Sequence, residues 1–326
     1  MSEQIEQIEK TVHGVAGQIH TFLERRPIRS KIHEKYVLVK SKTKECCSRG
    51  IDNNTVSSEY KTKRALIVGI NYPNTRNELT GCIEDAVDIY KMITKHYGFV
   101  DSNITLLIDQ PHADAPTVKY DQKPTKKRII ACLKELVSQT KPGDLLFVHY
   151  SGHGSQVRCK CGDENTNDIT PGMDDVIIPC DFGGHSSGYI TDDDLREHVV
   201  NVLPAGATLR AFFDCCCSGT ALDLPYVYKS GDRYQLQYDD SLKCKDCLLI
   251  SGCMDNQSSA DAYMDNKFNG ALTWALKKAL RSSRKMTMTW KDFLFLLRHH
   301  LETNGYVQVP VLSTGCTDVV KSNATL

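Results

Sequence analysis

Two apolar runs in this chain end in small, chemically reactive tips, and this pattern constrains the fold more than any other feature of the sequence. Ala211–Phe213 leads into Asp214, three cysteines and a Ser-Gly pair. Leu145–Tyr150 leads into Ser151 and a glycine-flanked His153. An apolar run that stops at a glycine-rich turn is typical of a buried strand with an exposed end. Because ligands bind beyond the carboxyl ends of strands in open α/β sheets, the two tips predict a site that contains a thiol and an imidazole.

Predicted strands and helices alternate along most of the chain. Besides the two runs above, the predicted strands are Arg64–Ile70, Ile104–Ile108, Leu248–Ser251 and Val311–Leu312. The predicted helices cover residues 81–97, 125–140, 191–202, 271–280 and 289–301. The tyrosine-rich stretch 226–245 is predicted to be a polar loop. This alternation indicates βαβ units, and therefore one α/β domain with a mostly parallel sheet covered by helices on both faces.

The overall composition argues against several functional classes. The chain has 326 residues with 40 basic and 40 acidic side chains, so its formal net charge is zero. A general nucleic-acid-binding protein would carry a basic excess, so we expect no nucleic-acid partner. The polar, acidic start of the chain shows no secretory signal pattern, and the sequence lacks any run of about 18 apolar residues that could span a membrane. We therefore predict an intracellular, cytoplasmic protein.

Fourteen cysteines is a high number for such a chain. Without a secretory signal, reduced thiols, metal ligands or catalysis are more typical uses than a disulfide framework. Most cysteines are expected to be small buried hydrophobic residues, in particular Cys82, Cys132, Cys180, Cys253 and Cys316. Zinc is a weaker alternative, because the pairs with ligand-like spacing lack glycine-rich knuckles. These pairs are Cys159/Cys161 and Cys244/Cys247.

The two tips also carry a family resemblance. Residues His149–Gly154 and Asp214–Gly219 resemble the two catalytic signatures of the metacaspases, in the caspase–haemoglobinase clan of cysteine peptidases. The resemblance covers about residues 63–315, and the short spacing after the Cys strand is similar to that of the compact type I metacaspases. Further segments match in the same order, namely Leu79–Ala86, Ile190–Asp193, Ser251–Asp261 and Gly270–Trp274.

The resemblance implies a particular architecture. The fold would be a caspase–haemoglobinase-like three-layer sandwich, with a mostly parallel central sheet flanked by helices. A single peptidase domain would cover residues 63–326 and act as a monomer. Residues 1–62 would form an N-terminal regulatory arm that lies across the active site and is removed or displaced.

Matched to the family signatures, His153 is the general base and Cys216 is the nucleophile of a Cys/His dyad. Peptide cleavage also needs donors for the oxyanion, and the backbone N–H groups of Gly154 and Cys216 are expected to supply them. Cys217 departs from the signature, in which a His usually stands. That His is not the general base, so activity need not be lost.

The resemblance also implies the substrate pocket. Asp85 and Asp214 match two acidic positions that line the S1 pocket of metacaspases, and Ser151 matches a polar one. Two carboxylates would select Arg or Lys, since a desolvated cation needs paired charge. The expected partners are proteins or peptides with Arg or Lys at the cut site. Exposed basic residues of the chain itself are candidates for self-cleavage, namely Arg49, Lys61, Lys63, Lys229, Arg233 and Lys243.

Four carboxylates match the calcium-binding positions of type I metacaspases, and they are Asp174, Asp192, Asp193 and Asp223. Hard oxygen ligands from several loops suit Ca²⁺. Because clustered carboxylates repel one another, we expect the loops to separate without metal. Calcium would then organise the site and switch the enzyme on.

An alternative interpretation belongs to a different functional class. The chain could be a catalytically impaired homologue that acts as a binding, scaffold or redox-sensing protein. Only Cys217 favours this alternative, because a resolving thiol beside the nucleophile invites oxidation.

Overall fold

The computed structural model describes residues 60–116, 123–159, 172–184, 188–216, 219–230, 233–236, 245–252, 261–264, 267–284 and 287–326. The predicted N-terminal arm, residues 1–62, lies almost entirely outside them. Its boundary with the predicted peptidase domain, residues 63–326, therefore stays a prediction.

The strands in the described residues form three sheets. In chain order they are β1 (Lys63–Gly69), β2 (Ile104–Ile108), β3 (Leu145–Ser151), β4 (Gly154–Arg158), β5 (Met173–Ile177), β6 (Ile190–Thr191), β7 (Thr208–Asp214), β8 (Tyr226–Ser230), β9 (Arg233–Leu236), β10 (Asp246–Ser251), β11 (Asp261–Met264), β12 (Lys267–Gly270) and β13 (Val311–Thr314). The main sheet has the order β2-β1-β3-β7-β10-β13-β8-β9. Strands β4, β5 and β6 form a small antiparallel sheet, and β11 and β12 form an antiparallel pair.

The part of the main sheet that contains the two apolar runs is parallel. Five neighbouring strands are parallel to one another, in the order β2, β1, β3, β7 and β10. Strand β13 then pairs antiparallel with β10, and β8 and β9 continue the sheet antiparallel. Every residue of β3 and β7 is buried, as continuous apolar runs predict for strands covered on both faces. The two strands are in register, so Ser151 pairs with Asp214 at their carboxyl ends.

The described residues also form five α-helices. They are α1 (Cys82–Tyr97), α2 (Lys126–Ser138), α3 (Asp192–Leu195), α4 (Ala271–Ser283) and α5 (Trp290–Thr303). The side chains of Thr125, Thr191 and Thr289 each accept a backbone N–H from three residues further on. Such caps satisfy donors that a helix start leaves open, so these helices begin where the sequence predicts. No helix in this part of the chain is long and apolar enough to cross a membrane.

Helices pack on both faces of the main sheet, which gives three layers. On one face, α2 and the residues from α3 to Leu203 join a core with Val148 and Ala211. On the other face, Phe147 and Phe212 stack with ring centroids 5.5 Å apart, and Phe212 meets Trp290 of α5 at 6.2 Å. The predicted mostly parallel, doubly covered α/β sheet is therefore confirmed.

Two parts of the fold differ from the prediction. The stretch 226–245, expected to be a loop, contains β8 and β9, which extend the main sheet. Tyrosine favours strands, and Tyr234 packs against both Tyr226 and Tyr228 across the pair. The small sheet of β4, β5 and β6 is not predicted either, because its short strands carry polar residues without a long apolar run.

The cysteines follow the prediction in part. Cys82 and Cys132 are buried thiols, as expected. Cys316 is disulfide-bonded, as is Cys159, so the expectation of a reduced buried thiol at Cys316 is wrong. Its own disulfide bond removes Cys159 as a zinc ligand, and Cys247 is fully buried inside the main sheet. Outside the described residues lie Cys161, Cys217, Cys244 and Cys253.

Candidate active site

The carboxyl ends of β3 and β7 lie side by side and bring the two reactive tips together. Beyond the Ser151–Asp214 pair, the N–H of Gly152 donates to the carbonyl of Asp214 over 3.4 Å. A Cβ added at Gly154 would lie 2.1 Å from the carbonyl oxygen of Cys216, so only glycine fits there. The segments that carry the predicted base and the predicted nucleophile are therefore in direct contact.

The imidazole of His153 is half-buried and contacts the loop between β1 and α1. Its Nε2 lies 2.7 Å from the carbonyl oxygen of Asn77. A carbonyl oxygen only accepts, so Nε2 is the donor, and in the neutral imidazole Nδ1 is then the nitrogen with the lone pair. The ring also packs against the ring of Tyr72, with centroids 4.7 Å apart. Sequence reasoning missed the Asn77 contact, because a backbone carbonyl is not encoded by any residue type.

Burial separates the adjacent cysteines at the other tip. Cys215 is 1% exposed and belongs to the hydrophobic core. Cys216 is half-buried, and it is also a reduced thiol. Only a thiol that opens toward a cleft can reach a substrate carbonyl, so burial favours Cys216 over Cys215 as the nucleophile.

The three residues predicted for the S1 pocket lie together next to the tips. The hydroxyl of Ser151 donates to Asp85 Oδ2 over 2.9 Å, and Asp214 is its neighbour across the sheet. Asp85 is 0% exposed and Asp214 is 4% exposed. Burial, followed by the nearby charge of Asp214, raises the pKa of Asp85 well above its usual value.

The start of α4 supplies main-chain donors to both carboxylates. The N–H of Gly270 donates to Asp85 Oδ2 over 2.8 Å, and the N–H of Thr273 donates to Asp214 Oδ2 over 2.7 Å. A Cβ on Gly270 would lie 2.2 Å from Asp214 Oδ2, so a larger residue would push the pair apart. Donors at a helix start stabilise negative charge. The remaining oxygen of Asp85, Oδ1, is buried without a hydrogen-bond partner among the described residues.

A second acidic cluster lies on β5 and α3. Carboxylate oxygens of Asp174, Asp192 and Asp193 lie within 4.8 Å of one another. The N–H groups of Asp175 and Asp193 donate to Asp192 over 2.7 and 2.9 Å. Burial, followed by the charge of Asp223, nevertheless raises the pKa of Asp192 to about 10. The carboxylates converge, and burial disfavours the charged form of one of them. This arrangement fits a hard divalent cation, which would stabilise the charged form.

Asp175 lies beside this cluster and has different contacts. Its Oδ2 accepts from the N–H and the hydroxyl of Thr220 over 2.9 and 2.7 Å. Its Oδ1 accepts from Gln156 Nε2 over 2.9 Å. Because its own N–H donates to Asp192, Asp175 connects the acidic cluster to the segment that follows Cys216. Two adjacent aspartates look alike in the sequence, so this role is visible only in the structure.

Comparisons with known sequences agree with one another. Residues 63–225 match the family model described as metacaspase, peptidase C14 domain. The chain is 32% identical to metacaspase-1 of Kluyveromyces lactis over 323 aligned residues, covering 83% of this chain and 70% of that protein. It is 34% identical to metacaspase-1 of Candida glabrata, covering 77% of this chain and 72% of that protein.

Solved structures share the fold at lower identity. Protein GSU0716 from Geobacter sulfurreducens superimposes with a TM-score of 0.54 at 23% identity, over 81% of this chain and 98% of that chain. Caspase-1 from Spodoptera frugiperda superimposes with a TM-score of 0.52 at 14% identity, over 82% of this chain and 93% of that chain. At these identities the likeness concerns the fold alone, and it confirms the predicted caspase-like three-layer sandwich.

Proposed function

This chain belongs to the metacaspase family of cysteine peptidases, and from that premise we propose that it is a calcium-activated endopeptidase that cleaves after Arg or Lys. The observation that carries the proposal is the arrangement at the ends of β3 and β7. There the tip with His153 touches the tip with Cys216, beside a buried acidic pair in which one oxygen of Asp85 has no partner among the described residues. A thiol and a base next to such a pair fit the hydrolysis of a bond that follows a cationic side chain.

In the proposed reaction one tip supplies the base, His153, and the other supplies the nucleophile, Cys216. Nδ1 of His153 takes the proton of the Cys216 thiol, since Nε2 already donates to the carbonyl of Asn77. The thiolate attacks the substrate carbonyl carbon, while the N–H groups of Gly154 and Cys216 stabilise the oxyanion. As the tetrahedral intermediate collapses, the C–N bond breaks and the amine leaves with the proton from His153. Water that His153 deprotonates then hydrolyses the thioester, which releases the acid and restores the thiol.

The buried acidic pair supports specificity for Arg or Lys. A buried acceptor without a partner costs about 1–3 kcal/mol, and Asp85 Oδ1 is such an atom among the described residues. A guanidinium or ammonium group would supply the missing donor. Its charge would also offset the repulsion between Asp85 and Asp214.

The second cluster supports activation by calcium. Asp174, Asp192 and Asp193 would hold the ion, together with Asp223, whose charge already acts on Asp192. Bound calcium would supply the positive charge that these converging carboxylates need. Because Asp175 ties the cluster to Thr220, an ordered cluster would also fix the segment after Cys216.

The remaining parts of the proposal concern regulation and context. Residues 1–62 would form an arm that is cut or displaced, and the enzyme would be a cytoplasmic monomer that acts on proteins or peptides and binds no nucleic acid. Among the candidate self-cleavage positions, Lys61 is exposed. Lys63 lies in β1, with its Nζ bonded to backbone oxygens of Tyr97 and Leu326, so Lys61 is favoured over Lys63.

The nucleophile is tested by comparing Cys216→Ala with Cys215→Ala on a fluorogenic peptide that carries Arg before the scissile bond, in calcium. Cys216→Ala should abolish cleavage, whereas Cys215→Ala should keep most of it because Cys215 is a core residue. Parental activity in Cys216→Ala would show that the assignment is wrong. If the parent protein cleaves no basic peptide, with or without calcium, the alternative of a binding, scaffold or redox-sensing homologue is favoured.

A further inference from the structure

Tyr72, in the loop between β1 and α1, has a backbone conformation that L-residues seldom adopt, with φ at +51°. A non-glycine residue in this region costs on the order of 1–3 kcal/mol and persists only where its surroundings impose it. Here Asp109, directly after β2, imposes it. Its Oδ1 accepts the N–H of Asn71 over 3.0 Å, and its Oδ2 accepts the N–H of Tyr72 over 2.7 Å.

The strained backbone directs the Tyr72 hydroxyl into the interior, beneath the tip that carries His153. Tyr72 is 7% exposed, and its hydroxyl accepts the N–H of His153 over 2.9 Å. It donates its single proton to the carbonyl of Ile178 over 2.6 Å. A second hydroxyl, from Tyr150, lies 3.1 Å away and donates to the carbonyl of His153 over 2.7 Å. The two tyrosines thus bind the N–H and the C=O of the same residue.

The neighbouring glycine makes room for this pair of hydroxyls. A Cβ on Gly152 would lie 2.7 Å from the hydroxyl oxygen of Tyr150 and 2.9 Å from that of Tyr72. A residue larger than glycine would therefore displace one of them. Gly152 serves the tyrosine pair, whereas Gly154 serves the contact with Cys216.

The same loop also fixes the imidazole itself. The Tyr72 ring packs on the His153 ring, tilted by 37° at 4.7 Å between centroids. Five residues further on, the carbonyl of Asn77 accepts from Nε2. The ring plane and the tautomer of His153 are therefore both set from one loop, whose base is held by Asp109.

We infer that Tyr72 is a positioning residue for the catalytic base, acting through its ring and its hydroxyl on His153. This inference rests on the proposed pairing of His153 with Cys216. The hydroxyl of Tyr72 is close enough to Cys215 for the two to interact electrostatically, but Cys215 is a buried core residue. The hydrogen bond and the ring contact of Tyr72 both reach His153, so Tyr72 acts on the reaction through His153. Its removal should therefore change the chemical step and leave substrate binding nearly intact.

The test is the steady-state kinetics of Tyr72→Phe, which keeps the ring and removes the hydroxyl. On an Arg peptide in calcium we expect kcat to fall about tenfold or more, because a slightly misplaced base is a poor proton acceptor. KM should change by less than about twofold, because the pocket is untouched. The rate at which iodoacetamide alkylates Cys216, mapped by mass spectrometry, should fall with kcat, because only the thiolate reacts.

Tyr97→Phe is the matched control, since the Tyr97 hydroxyl donates to the carbonyl of Leu280 over 2.7 Å, away from the site. It should leave kcat and alkylation unchanged at a temperature where all variants are folded. Asp109→Asn is the second variant, because an amide cannot accept both N–H groups, and kcat and the alkylation rate should fall as they do in Tyr72→Phe.

Three results would overturn the inference. They are an unchanged kcat in Tyr72→Phe, an equal fall in Tyr97→Phe, and a loss that appears in KM alone. A parent protein that cleaves no peptide would reject the proposed function instead. The ratio of alkylation rates between variant and parent would then still decide the role of Tyr72.

Discussion

The two acidic regions of this protein contain the same kind of side chain and hold it in different ways. In the pocket pair, Asp85 and Asp214 accept hydrogen bonds from the start of α4, and Ser151 adds a third donor. In the cluster, two backbone N–H groups both donate to Asp192, which still faces the like charges of its neighbours.

The difference shows how a buried carboxylate can serve as a binding group. Asp214 also repels Asp85 in the pocket pair, but each of these two carboxylates has its own main-chain donor. Such fixed dipoles make a site that exists before its ligand arrives. Converging like charges make a site that is complete only when a cation is present. The pocket pair therefore fits one cationic side chain that enters and leaves, and the cluster fits a metal ion that controls the surrounding segments.

The largest effect is expected from a substitution in the pocket pair. Asp85→Asn should lower kcat/KM for an Arg peptide by about a thousandfold, because one buried partner of the substrate's charge is lost. The same variant should melt at a higher temperature near neutral pH. The raised pKa of Asp85 means that its contribution to stability is present only at low pH and is lost as pH rises. The amide side chain of the Asp85→Asn variant cannot ionise, so this variant does not lose this stability as pH rises.

Glu84→Gln is the matched control for this prediction. Glu84 is the neighbouring acid on α1, and its Oε2 lies 2.9 Å from His112 Nε2. Its kinetics should match the parent. Parental kinetics on the Arg peptide in Asp85→Asn would contradict the assignment of the pocket.

The next largest effect is expected from a substitution that removes the carboxylate of Asp192 from the cluster. Asp192→Asn should weaken calcium binding, measured by calorimetry, by about a hundredfold. Asp194→Asn is the control, since Asp194 caps α3 with Thr191 and should destabilise the protein equally with and without calcium. Parental calcium affinity in Asp192→Asn would exclude this cluster as the metal site.

A third, smaller effect is the pH dependence of substrate binding. Burial and Asp214 raise the pKa of Asp85, so Asp85 takes up a proton at a higher pH than an exposed carboxyl does. As pH falls through this range, KM for the Arg peptide should rise, by at most about tenfold per pH unit. A peptide with a neutral residue at the same position should show no such rise. An Arg-peptide KM that stays constant over the same range would argue against a charged Asp85 in the pocket.

The smallest effect tests whether Asp175 differs in role from Asp174, its neighbour in the cluster. Asp175→Asn keeps one acceptor oxygen and turns an amide toward the donors of Thr220 or Gln156. It should destabilise the protein by about 1–3 kcal/mol, with and without calcium, in thermal melting. Calcium affinity should stay at the parental value, unlike that of Asp192→Asn. A loss of calcium affinity in Asp175→Asn as large as that in Asp192→Asn would show that Asp175 belongs with the cluster.

Side-chain patterns predicted a large part of this structure. The apolar runs of β3 and β7, the glycines at their tips and the threonine caps are all properties of residue type. They located the parallel sheet, the helix starts and the two tips that meet. The predicted acidic residues also converge, since Ser151 and Asp214 occupy strand ends and Asp85 lies in the first turn of α1.

The parts that the sequence did not reveal depend mostly on backbone groups. The carbonyl of Asn77 and the N–H groups of Gly270 and Thr273 bind the base and the acidic pair, and any residue would offer them. The role of Tyr72 depends on a positive φ, which only the contact with Asp109 explains. Strands β8 and β9 were missed because they lack a long apolar run.

The central claim is that one cleft combines the Cys/His dyad with the acidic pair, under the control of calcium. The most direct measurement is kcat/KM for three peptides that differ only before the scissile bond, with Arg, Leu or Asp there, in calcium and in a chelator. We predict cleavage of the Arg peptide alone, only in calcium, and none by Cys216→Ala. Comparable cleavage of the Leu or Asp peptide, or undiminished cleavage of the Arg peptide in the chelator, would contradict the claim.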